Sequence, residues 1–399
     1  MERHRLCLKS AILAGVLAAV NAPAAFALEA EEVGERMKAL MAKQQLEMSY
    51  EGARMDGADV TLEGATMAYM DRSAALPIGD LTLQNVTEEA DGTFRVDRIA
   101  VDEFEHRAGG STLSFTGFTM TGLLLPEDIE SAPFEGAVLR YDRTELARLD
   151  VKRDNGLTGS LENISAEITV SDDDAVMVDG GVEAFSFDLR SIESGSNAVN
   201  VLKELGYGEI NGNMRMTGSW RPSDGRTTVS RYEATVDEAG TFALTADFDG
   251  YTPAFIQAMD DMRKQTEENA GGGENNTAQG MAMLGMMQQL TFHGMTLRFT
   301  DDSLTGKALD YAAKEQGSKR EDIIAQAKAV IPMQLTPYLG SELTQNLTQA
   351  VGTFLENPDT LEISAKPENP VPFAMLMGAA MGAPELLIKQ IGLMITANQ

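Results

Sequence analysis

Between residues 57 and 250, apolar side chains recur at every second position. Phe185, Phe187 and Leu189 alternate with Ala184, Ser186, Asp188 and Arg190, and Phe242, Leu244, Ala246 and Phe248 alternate with Thr241, Ala243, Thr245 and Asp247. Met214, Met216 and Trp220 likewise share a face opposite Arg215, Thr217 and Ser219. Successive side chains of a strand point to opposite faces, so the pattern specifies half-buried antiparallel strands. Asp91-Gly92, Asn155-Gly156 and Asp224-Gly225 fall between such runs, where type I′ hairpin turns take residues tolerant of positive φ. The expected result is a long β meander with one apolar face to be covered.

On either side the period lengthens. Residues 28–56 read as an N-terminal amphipathic helix, with Val33, Met37, Leu40 and Met41 on one stripe. After residue 250, Thr252-Pro253 opens a helix bearing Phe255, Ile256, Met259 and Met262. Ser318 to Glu321 forms a capping box for a helix that Pro332 is expected to end. Leu343 to Phe354 marks another helix. Leu361, Ile363 and Ala365 alternate as a strand, and Phe373–Met381 and Leu386–Ile391 are short apolar helices separated by Pro384. The fold expected is α+β and β-rich: an extended, twisted antiparallel sheet over 57–250, with the mainly helical region 251–399 packed on one face and contributing a few strands.

The first 27 residues read as a secretory signal peptide. Arg3, Arg5 and Lys9 supply the charged start, Ala11 to Val20 the apolar run, and Ala25-Phe26-Ala27 the small-x-small cleavage site. Cleavage after Ala27 would remove Cys7, the single cysteine, leaving no disulfide, thiolate nucleophile or cysteine-bound metal. An exported, cysteine-free chain suits a Gram-negative periplasm, where the Asn-x-Ser/Thr matches at Asn85, Asn163 and Asn346 carry no glycan. The whole chain has a formal charge of −29, which argues against nucleic-acid partners, because that binding depends on Lys and Arg displacing counterions. No transmembrane span is expected after processing: Pro384, Glu385 and Lys389 interrupt the final apolar segment.

Motifs that carry catalysis are missing. There is no P-loop, G-x-S-x-G, H-E-x-x-H or EF-hand spacing. Asp172-Asp173-Asp174 lacks the alternating spacing of a calcium loop and reads as a solvated turn between strands. His293 shares the parity of Met295, Leu297 and Phe299, which makes it a core or edge histidine, while His106 falls in a polar turn before Gly109-Gly110. No catalytic residue, cofactor or metal is assigned.

Methionine is the one compositional excess, at 23 residues. Met281, Met283, Met286 and Met287 cluster in one helix, and Met375, Met377 and Met381 in another. Soft thioethers select Cu(I), yet Met283, Met287 and Leu290 also make an ordinary helical stripe, and flexible thioethers suit an adaptable apolar surface. The candidate ligand contacts are therefore Met281, Met283, Leu284, Met287, Met375, Met377 and Met381, as an apolar lid hinged at Gly271–Gly273.

Leu81–Val101 and Leu157–Val170, with the ending Leu361 to Pro367, Pro370-Val371-Pro372 and an apolar helix pair, resemble exported envelope proteins of alphaproteobacteria. In texture they are similar to the AsmA-like proteins, whose β-groove repeats carry lipids. The chain departs from those in lacking a retained anchor and in being much shorter than the long bridging members. Those departures put transport across the envelope in doubt; the alternating strands, soft apolar helices and missing catalytic motifs point instead to a non-enzymatic periplasmic binding or envelope-maintenance protein, with a lipid or other apolar ligand or an envelope-protein partner. The alternatives are a hydrolase of envelope material with its site scattered over loops, and methionine-based Cu(I) binding.

Overall fold

The computed structural model describes residues 29–69, 75–129, 139–171, 173–192, 197–268, 276–382 and 384–399. The export segment 1–27 and the Gly271–Gly273 hinge lie outside them. Helix α1 (Ala30–Lys43) leads into β1 (Leu46–Ser49), β2 (Gly52–Asp56) and β3 (Asp59–Tyr69). The meander continues through β4 (Leu76–Glu88), β5 (Phe94–Ala108), β6 (Ser111–Leu125), β7 (Arg143–Arg153), β8 (Thr158–Val170) and β9 (Val176–Asp188). After α2 (Asn197–Glu204) come β10 (Glu209–Arg221), β11 (Arg226–Val236) and β12 (Gly240–Asp249). Helices α3 (Pro253–Glu268) and α4 (Asn276–Met287) precede β13 (Thr291–Asp301), and α5 (Leu304–Gln316) and α6 (Arg320–Glu356) precede β14 (Thr360–Ala365). Then follow β15 (Val371–Pro372), α7 (Phe373–Gly382), α8 (Pro384–Gln390) and β16 (Leu393–Ala397).

All the strands join one open antiparallel sheet of 16 strands in the order β1-β3-β4-β5-β6-β7-β8-β9-β10-β11-β12-β13-β14-β16, with β2 on β3 and β15 on β13. The α+β, β-rich architecture is thus as the alternation requires. The register is what converts alternation into a surface. Val101 pairs with Phe118, and the row continues through Leu146, Ile164, Val182, Met214 and Ala234. It runs on to Phe242, Phe299, Leu361 and Ala397. Apolar side chains therefore cross 11 strands without a break, roughly 48 Å at about 4.8 Å per strand. The reverse face carries ladders of opposite charge, such as Arg143–Glu167 (3.2 Å) and Arg298–Glu362 (2.5 Å). These pairs are largely exposed and contribute little to stability.

The best-packed core lies at the N-terminal end. Helix α1 lays Val33, Met37, Leu40 and Met41 on Val60, Leu62, Leu83, Val96 and Leu123, all buried. Arg36 stacks over the Phe94 ring at 3.9 Å and donates to the Gly92 carbonyl at 2.6 Å, which fixes the helix against the sheet. Tyr50 donates to Glu35 (3.1 Å) and Glu31 (3.3 Å) on the same helix; burial, then the bond to Glu35, raises its phenol well above the usual value.

Several local expectations are corrected. The N-terminal helix stops at Lys43 rather than running to residue 56: Gln45 takes a φ of 61°, and 46–56 become edge strands whose Met48 is buried on the core. At Asp91-Gly92, Asn155-Gly156 and Asp224-Gly225 only the glycine has positive φ, so these are not type I′ turns. That geometry belongs to Gly109 (φ 55°) and Gly110 (φ 74°), between the paired Ala108 and Ser111. His106 consequently sits in β5, opposite Leu113, and not in a turn. Pro332 does not end its helix; α6 continues past it and past Pro337, and breaks instead at Gly340 (φ 74°, ψ 167°). Its capping box is shifted by one residue, with Asp322 accepting from the Lys319 N–H at 3.1 Å. Asp173 and Asp174 do turn between β8 and β9, closed by Ser171 N–H to the Ala175 carbonyl at 2.9 Å, while Asp172 lies outside the described residues.

Asp188, at the end of β9, accepts two bonds from the Arg190 guanidinium and one from its N–H, all at 2.9 Å. These bonds hold its carboxyl at about 2, below the ordinary 3.8. Because the folded value is depressed, this contribution is complete above the unfolded value and is lost as pH falls from there towards about 2. NMR titration of the Asp188 carboxyl is expected to give a midpoint near that value, and Arg190→Gln should move it up towards the ordinary carboxylate range while the bond from the residue 190 N–H keeps it somewhat below.

Candidate functional site

Helices α1, α3, α4, α6 and α7 pack on the apolar face but cover only parts of it. At one end α1 covers the first strands. Near the other, Phe354 of α6 meets Phe299 edge-on, with centroids 6.2 Å apart. Along one border of the sheet, α3, α4 and α7 close over the ends of the strands. Phe248 meets Tyr251, Tyr251 meets Phe255, and Phe292 meets Phe373 in a chain of tilted and edge-on rings. Trp220 anchors this corner by donating its indole N–H to the Tyr251 carbonyl at 2.7 Å, while Ile256 packs on Trp220 and Val176.

Between these covers the face is open. Phe187 is 37% exposed, Phe242 38%, Met295 39% and Met216 42%, all on apolar rows of the register. Two of the glycines along it seat aromatic rings. A side chain at Gly159 would strike the Phe187 ring at 2.6 Å, and one at Gly212 the Phe185 ring at 2.5 Å. The rings lie over their cross-strand neighbours instead of standing upright, which leaves a shallow apolar trough.

The methionines selected from sequence divide between two jobs. Met283 and Met287 pack with Phe373 around buried Phe255, Met286 and Leu290. These two, with Met286, form part of the seal between α4 and α7. Met281 is 72% exposed, and Leu284, Met375 and Met377 are exposed as well. Met381 lies in α7, but its side chain is outside those described. The two Met-rich helices do come together, as a lid requires, yet the trough itself is built by strand residues whose sequence signal is alternation alone.

His293 is placed differently from the sequence expectation. Asp247 pairs with Gly294 and Phe248 with Phe292, so His293 is the extra residue of a β-bulge. The bulge takes it off the face of Met295 and sets it against Asp249 (2.7 Å) and the Arg226 guanidinium (3.2 Å). Arg226 also bonds Asp247 at 2.6 Å, while the second oxygen of that carboxylate is buried without a partner among the described residues. The cluster ties β11, β12 and β13 together on the polar face. None of the hydrogen bonds described for His293 comes from a hydroxyl group. No period-two count could reveal it, because a bulge reverses parity without a sequence mark beyond Gly294.

No helix among the described residues is long and apolar enough to cross a membrane. No curated protein matches the chain. Residues 233–398, from the end of β11 to the last strand, are similar to a protein family whose model is described as "Uncharacterized protein".

Proposed function

We propose that this protein is a non-enzymatic binding protein of the bacterial envelope, exported to the periplasm, which holds the acyl part of a lipid along the open trough. One observation carries the reading: an unbroken apolar row across 11 strands that the helices cover at its ends and leave half-exposed in its middle. An ordinary core would close over such a row, since each buried methylene is worth about 0.8 kcal/mol. Exposed thioethers at Met281 and Met375 border the helical covers, where adaptable side chains suit chains of varied length. Export rests on the charged start, apolar run and Ala25-Phe26-Ala27 of the N-terminus.

The test is native mass spectrometry of protein taken from its own periplasm, followed by organic extraction. A lipid adduct that extraction removes is the expected result. A clean mass, together with failure of the purified protein to take up a fluorescent fatty acid, would overturn the proposal.

A further inference from the structure

A cavity of about 880 Å³, open to solvent, lies where α6 breaks. Its wall combines Gly340 and Leu343 of α6, Val371 and Met375 beside β15, and Ile388 and Leu393 next to the last strand. It also carries four charged side chains: Glu342, Lys366, Glu368 and Lys389. None of the four makes an ion pair or a side-chain hydrogen bond among the described residues.

The backbone holds the two lysines at one place. Gly392, with a φ of 59°, donates its N–H to the Lys389 carbonyl at 3.2 Å. A side chain at Gly392 would lie 2.5 Å from the Lys366 carbonyl, so only glycine lets the two segments approach this closely. The register then connects the cavity to the trough: Ala246, Met295, Ala365 and Leu393 form one row, leading from the exposed Met295 to the cavity wall.

We infer that this cavity receives the headgroup of the lipid, and that the headgroup is zwitterionic, a phosphate next to an ammonium, as in a phosphoethanolamine. The inference rests on the proposed lipid function and adds the class of lipid. Two ammonium and two carboxylate side chains left unpaired at one rim complement a ligand carrying both signs. A single-sign headgroup would satisfy one pair and repel the other. In a chain with a charge of −29, a purely anionic headgroup also faces repulsion from the rest of the molecule.

The experiment compares calorimetric binding of lysophosphatidylethanolamine and lysophosphatidylglycerol with the same acyl chain, using the full protein. Two double variants are tested, Lys366→Gln/Lys389→Gln and Glu342→Gln/Glu368→Gln; all four positions are exposed, so the fold should be retained. The lysine variant should weaken both lipids about ten-fold, and the glutamate variant should weaken only the ethanolamine lipid, by about the same factor. Glycerophosphoethanolamine, which has the headgroup without the chain, should bind far more weakly than the lysolipid. Equal binding of the two lysolipids with no effect of either variant would overturn the headgroup assignment while leaving acyl binding intact. Tight binding of the chain-free compound would overturn the lipid assignment of the cavity. Failure of both lysolipids to bind the parent protein would instead overturn the proposed function itself.

Discussion

Met216→Asp combined with Phe242→Asp is expected to lower the unfolding free energy by only about 2 kcal/mol, leaving the protein folded, and to abolish measurable uptake of a fluorescent fatty acid, a loss of at least about a hundred-fold. Both side chains are already 42% and 38% exposed, so a carboxylate at either site can reach water in the empty protein. Met216 sits between Gly180 and Tyr232, and Phe242 between Ala234 and Phe299. Hydrocarbon laid across these rows would have to strip both new charges of water, at a cost of about several kcal/mol each. Met177→Asp is the control. It is 45% exposed but lies opposite Thr169 and Ser219, on the polar face, and should leave uptake unchanged. Equal uptake by the double variant and the control would show that ligand does not lie in the trough.

Truncation in the α1 core should do the opposite. Leu83 is fully buried between Val60 and Ile99 in the register, beneath α1. Leu83→Ala is expected to remove about 3 kcal/mol of unfolding free energy, the sum of lost transfer energy and the cavity left behind. Urea denaturation followed by circular dichroism measures this as a lower midpoint. Phe242→Ala deletes a larger side chain yet should cost only about 1 kcal/mol, because the ring is partly solvated before it is removed. If the two substitutions cost the same, the trough is packed as tightly as the α1 core and has no room for a ligand.

The contrast between these two regions was only half legible in the sequence. Alternation at Phe185, Phe187, Phe242 and Leu244 identifies strands and their apolar sides, because period two is a local property. Which strand faces which is not local. The row through Phe118, Ile164 and Phe242 exists only once register is set, so an exposed stretch within an apolar face had no sequence signature. Composition drew attention to the methionine helices, and Met281 and Met375 do remain exposed, whereas Met283 and Met287 are used in packing. His293 lies off the face that its parity predicts, because a bulge shifts parity by one. Helix α6 passes Pro332 because the break falls at Gly340 instead, and Thr336, Thr344 and Thr348 bond to carbonyls four residues back, which bends a helix without stopping it.

From β3 to β14 nearly every strand pairs with its neighbours in the chain, and no crossover interrupts the order. Such a sheet behaves as a linear array: its stability is close to a sum of adjacent-strand terms, as in solenoid repeats. The number of hairpins then acts as a ruler. Adding or deleting one β hairpin between β7 and β12 would lengthen or shorten the trough by roughly 10 Å while leaving α1 at one terminus and α6 at the other. Relatives built on this plan can therefore differ in reach by whole hairpins and still keep the same two ends.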